Sequence, residues 1–362
     1  MKVWKSALHQ MAETTKTQLW NDSCAVSELT ESMKHGAVGA TTNPVIVGNV
    51  LKKELPEWSP RILEFVHAHP LDSEDDIAWR IIEEMGTTAA KLLLPVFRAS
   101  GGLKGRLSMQ TNPKYWRDSQ KMVEHALHLA SLAPNIQVKI PTTFASLSAF
   151  EEVTYRGVSI NATVSFTVAQ AVAVAEAVER GLARRRRESL DCSAMSPVVT
   201  IMVGRVDDWL KKVAEKQGII TDPGYLEWAG VAVFKHAYEI YQQRGYRSKL
   251  LSAAYRNHMH WSEFIGGDVV VSIPFDWQQR FVASDVTCES RMANPVNPVA
   301  VGELLRKFPD FVKAYEEGAL IPAEFDSYAP TRRTLRQFIA AYDEVVSIVR
   351  NLMIPDPDLK GQ

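Results

Sequence analysis

A lysine set between a valine and an isoleucine, in the run NIQVKIPTT (135–143), is the residue of this chain best suited to covalent chemistry. A strand through these residues turns Ile136, Val138 and Ile140 to one side and Gln137 and Lys139 to the other, because successive side chains alternate. A buried ammonium without a partner costs several kcal/mol. Lys139 therefore reaches water, is paired, or is held neutral. Desolvation lowers a lysine pKa well below its usual ~10.4, and a neutral amine attacks carbonyl carbon to form a Schiff base. A lysine ion-paired to Asp22 for structure alone fits the same alternation.

The same alternation recurs along the chain. Strand-like runs lie at 17–22, 37–42, 104–110, 135–140, 158–164, 197–203, 249–255 and 268–273. Helical patterns such as YWRDSQKMVEHALHLASL and FTVAQAVAVAEAVERGL separate them. Eight strands alternating with helices predict an α/β fold, an eight-stranded parallel (β/α)8 TIM barrel. The stretch between the second and third strands has room for two or three helices. Residues 1–289 are expected to form the barrel. Residues 290–362, with helical pattern only, are expected to pack on it as an extension of the same unit. If the apolar faces meet the helices, the inward side carries Asp22, Asn43, Gln110, Lys139, Asn161, Thr163 and Thr200. On the seventh strand it carries Ser252, Ala254 and Arg256, with Leu251, Ala253 and Tyr255 turned outward. Polar residues near the C-terminal mouth are where such barrels keep active sites. An antiparallel sheet with one wet face would alternate too, but the intervening helices argue against it.

Composition narrows the function. A net charge of -1 over 362 residues argues against nucleic-acid or membrane-surface partners. The one basic run, Arg184 to Arg187, reads as a solvated helix end, where cations are favoured. Cys24, Cys192 and Cys288 are odd in number and widely spaced, which suits neither a disulfide framework nor a zinc site. No window approaches the ~18 apolar residues of a membrane span, and the N-terminal MKVWKSALHQMAETTKT does not read as a secretory leader. These features predict a cytoplasmic protein.

Five short motifs in order, ATTNP (40–44), NIQVKIPTT (135–143), INATVSF (160–166), MVGRVDDW (202–209) and AAYRN (253–257), resemble the transaldolase family. These are Schiff-base enzymes related to the fructose-6-phosphate aldolases, and the likeness covers roughly residues 17 to 285. It implies that Lys139 forms the Schiff base and Asp22 is the general acid–base. Asn43 and Asn161, with Thr200, would hold the substrate, while Thr163 and Gln110 would position a water. Arg205 and Arg256 fall where the family binds phosphate, which guanidinium forks suit. The partners implied are small sugar phosphates, with no metal and no organic cofactor, and a homodimer is left open. His258 and His260 form an HxH pair, but no third ligand is evident for a metal-dependent aldolase.

Three positions depart from the family pattern. Gln110 stands where transaldolases usually carry glutamate, as in the related aldolases. Met202 replaces an aromatic residue, and Ala254 replaces a serine that contacts phosphate. The alternatives are therefore aldol cleavage releasing free dihydroxyacetone, activity on a modified ketose, or a barrel that binds sugar phosphates without catalysis.

Overall fold

The computed structural model describes residues 4–358. The ends of the N-terminal stretch and of the C-terminal extension, residues 1–3 and 359–362, lie outside the described residues. Eight parallel strands close into a barrel in sequence order. They are β1 (Gln18–Asn21), β2 (Gly39–Thr41), β3 (Arg106–Gln110), β4 (Ile136–Pro141), β5 (Ile160–Thr163), β6 (Val198–Ile201), β7 (Lys249–Ser252) and β8 (Val270–Ile273). β1 pairs with both β2 and β8.

Helices separate the strands. Three of them, Pro44–Lys53, Leu55–Ala68 and Glu74–Ala99, fill the long connection from β2 to β3. Local chemistry sets their starts. Asn43 caps the first, accepting from the backbone N–H groups of Val45 and Ile46 ahead of Pro44. Ser73 and Asp76 form a capping box on the third. The helix Val168–Arg187 runs on through the basic tract, where Arg184 pairs with Glu151 and Glu152, and Arg186 with Glu179. The pattern at 301–318 breaks at Phe308–Pro309 into Pro298–Lys307 and Pro309–Tyr315, as a proline there favours. A last helix, Ala329–Met353, packs against Pro44–Lys53, Leu55–Ala68, Glu74–Ala99 and Val203–Gln217.

Most outward faces follow the expected alternation, but β7 does not. Thr200 pairs laterally with Leu251, and Leu251 with Val270. Leu251, Ala253 and Val270 join Trp20 and Val198 in a small core separate from the main one. Ser252 faces the other way, and its hydroxyl donates to the carbonyl of His260. The physical reason is that the lower interior of a barrel is filled with apolar side chains. "Apolar means outward" therefore fails on a strand that supplies the floor.

That floor depends on a glycine. A Cβ at Gly39 would lie 2.5 Å from the indole of Trp20, and Trp20 is itself enclosed by the floor cluster. Gly39→Ala should therefore cost about 1–3 kcal/mol through overpacking. The expected sign is a lower urea midpoint at unchanged slope. An unchanged midpoint would show that the floor can yield.

Candidate active site

Lys139 is 4% exposed, and its Nζ lies 3.5 Å from the carbonyl oxygen of Thr42. β4 sets it level with Gln110 on β3 and Asn161 on β5. Among the described residues no carboxylate lies within ion-pair distance of it. Burial pushes its pKa down, with Asp22 working against this and Arg205 adding to it. Asp22 stands just past β1 at the mouth, accepting a 2.5 Å hydrogen bond from Thr41, whose hydroxyl also meets Ser272 at 2.6 Å. Burial raises the Asp22 pKa, while Lys139 and the Thr41 hydrogen bond oppose that rise. The two groups thus share a dry site in which each lessens the cost of charging the other.

Asp22, Asn43, Lys139, Thr163, Thr200, Arg205 and Arg256 line one cavity of about 790 Å³ at the C-terminal mouth. Gln110 and Asn161 lie beside Lys139 without lining it. Asn161 donates to Ser108 and accepts from Thr200. Gln110 is the reverse case. Both ends of its amide are buried without a protein partner, as is the Thr163 hydroxyl. Asn43 uses its oxygen as a helix cap and so offers the cavity its amide N–H groups. Met202 and Ala254 also line the cavity.

Backbone bends place the outer residues. Ala254 has φ +66°, so strand alternation ends there, and residues 253 to 256 all reach the cavity. Val164 has φ +54°, rare for a β-branched residue and worth about 1–3 kcal/mol of strain. It turns the chain immediately after Thr163. Gly204 allows the two loops that carry Arg205 and Arg256 to meet, since a Cβ there would sit 2.0 Å from the Ala254 carbonyl oxygen.

Both arginines are already held by protein groups, Arg205 by residues to which the sequence did not point. Arg205 donates through Nη1 to Thr334 and Gln337 of the last helix. Burial, with Arg256 nearby, lowers its pKa to about 10. Arg256 forms a forked pair with Asp208. Its backbone N–H donates to Nδ1 of His260, so the ring proton sits on Nε2 and is donated to the buried Asp207. The HxH pair is divided, because His258 contacts Ser262 instead.

With this geometry in view, comparison with known proteins is decisive for the family. The model for Transaldolase/Fructose-6-phosphate aldolase matches residues 19–319. The chain belongs to that family. A transaldolase of Thiobacillus denitrificans is 33% identical over 210 residues, 57% of either chain. Transaldolase 1 of Streptomyces avermitilis is 31% identical over 218 residues, covering 58% of this chain and 55% of its own length. For a Mycolicibacterium smegmatis transaldolase the figures are 30% over 228 residues, 62% and 61%. The chain thus spans between half and two thirds of the length of these relatives.

The coupling of Asp22 to Lys139 has a measurable sign. The Asp22 carboxylate favours the protonated amine, so Asp22→Asn should lower the Lys139 pKa further. Reductive trapping of a small ketone on Lys139 by cyanoborohydride should then begin at lower pH than in the wild type. A limb that stays in place would show that the two groups do not interact.

Proposed function

We propose that this protein is a transaldolase, moving a dihydroxyacetone unit from a ketose phosphate to an aldose phosphate through a Schiff base on Lys139. The observation that carries this reading is a buried, unpaired amine with a depressed pKa, opening onto a polar cavity beside Asp22. The family and the names of the relatives support it. Fructose 6-phosphate and sedoheptulose 7-phosphate are the donors to try first. The cytoplasm is the compartment that three free cysteines suit best.

The neutral amine of Lys139 adds to the C2 carbonyl, and loss of water leaves an iminium. The Asp22 carboxylate takes the C4 hydroxyl proton, and the C3–C4 bond breaks. Its electron pair moves to C3 and on to the iminium nitrogen, giving an enamine and a free aldehyde. The enamine then adds through C3 to an incoming aldehyde, and Asp22 returns its proton to the new alkoxide. Water releases the product and restores the lysine. The raised pKa of Asp22 suits a group that must hold a proton between the two half-reactions. Gln110 and Thr163, with hydrogen-bonding capacity in reserve, suit the water steps. Thr200 and Asn43 line the cavity and would fix the sugar hydroxyls, with Asn161 behind them holding the Thr200 hydroxyl.

Gln110, at which this sequence resembles the fructose-6-phosphate aldolases, favours one second reading, aldol cleavage with release of free dihydroxyacetone. Met202 counts against it, since a thioether donates no proton. Reduction by borohydride with fructose 6-phosphate should tag Lys139, and Lys139→Ala should abolish the tag. Asp22→Asn should keep the tag while losing about 10²–10⁴-fold in transfer. Erythrose 4-phosphate should accelerate release of glyceraldehyde 3-phosphate. Equal release without acceptor, with dihydroxyacetone accumulating, would establish the aldolase instead. A protein that binds the sugar yet leaves Lys139 untagged would be neither.

A further inference from the structure

Next to the main cavity lies a second of about 160 Å³, and Arg205 and Arg256 line both. Its other walls are Asp208, Trp209 and, from the last helix, Pro330, Arg333, Thr334 and Gln337. Three guanidinium groups thus surround one carboxylate. Their donors are unequally committed. Arg256 gives Nε and Nη2 to Asp208 and Nη1 to the Tyr255 carbonyl. Arg205 gives Nη1 to Thr334 and Gln337, while its Nε is buried without a partner. Arg333 is exposed, and among the described residues no hydrogen bond or ion pair engages it. Its whole fork is available in a cavity already short of negative charge.

We propose that Arg333 is a specificity-determining residue that completes a subsite for the terminal phosphate monoester of the substrate. This rests on the transaldolase reading for the identity of the substrate, but not for the presence of the anion site. Arg333 lies outside residues 19–319, the part matched by the family, so the subsite is completed by a segment that the family pattern does not describe. A guanidinium suits a tetrahedral dianion because it offers two parallel N–H donors with a full charge.

The test is Arg333→Ala beside Arg333→Lys in the full-length protein. An exposed residue without a side-chain partner can be replaced without disturbing the fold, which thermal unfolding of both variants would check. Calorimetric titration with inorganic phosphate should show about tenfold weaker binding in R333A and less than threefold weaker in R333K. KM for fructose 6-phosphate should rise about tenfold in R333A at nearly unchanged kcat, while turnover of unphosphorylated fructose stays as it was. Phosphate affinity within twofold of wild type in R333A would overturn the proposal, whatever the enzyme does. Weaker phosphate binding in a protein whose Lys139 is never tagged would uphold the anion site and refute the transaldolase reading.

Discussion

One constraint governs the molecule: a primary amine must be kept out of water without being neutralised by an ion pair. Lys139 meets it by standing on the central part of a barrel strand, flanked by the amides of Gln110 and Asn161. A carboxylate at contact distance would hold the amine protonated. Asp22 instead sits near enough to exchange influence and too far to pair, restrained by Thr41 and Ser272. Raising one pKa while lowering the other brings both groups nearer neutrality than they would be in water.

The rest of the architecture serves that placement. The outward faces of the strands bury against the helices and hold the ring closed, so the inward faces can afford polarity where chemistry requires it. The arginine end of the cavity is built differently, from loops in close approach. Gly204 lets the chain after β6 meet the left-handed bend at Ala254. The buried Asp207–His260 pair then fixes the backbone that carries Arg256. The last helix reaches across to hold Arg205. It is therefore structurally continuous with the site, although it lies far along the chain.

Much of this was legible beforehand, for reasons that differ by residue. Lys139 betrayed itself by sitting in an apolar strand, and Asn161, Thr163 and Thr200 followed from the same two-residue period. Ser272, the one polar residue of its strand, could have been placed beside Thr41 by the same logic. β7 was misread because alternation gives two faces but not which is inside, and Leu251 is as apolar as any helix-facing residue. The commitment of Asn161 to Ser108 and Thr200 depends on neighbours across two strand pairings. Thr334 and Gln337 carry no local signal at all, since ordinary helix-surface residues become ligands of Arg205 only through tertiary folding.

The indole beneath the reaction chamber has a kinetic meaning. With Trp20 wedged against Gly39 and ringed by aliphatic side chains, nothing passes through the tube from end to end. On the proposed transaldolase reading, traffic would be confined to the C-terminal mouth, so the first aldehyde would have to depart before the second could approach the enamine. Substituted-enzyme, ping-pong kinetics would then be a matter of plumbing as much as of bond making.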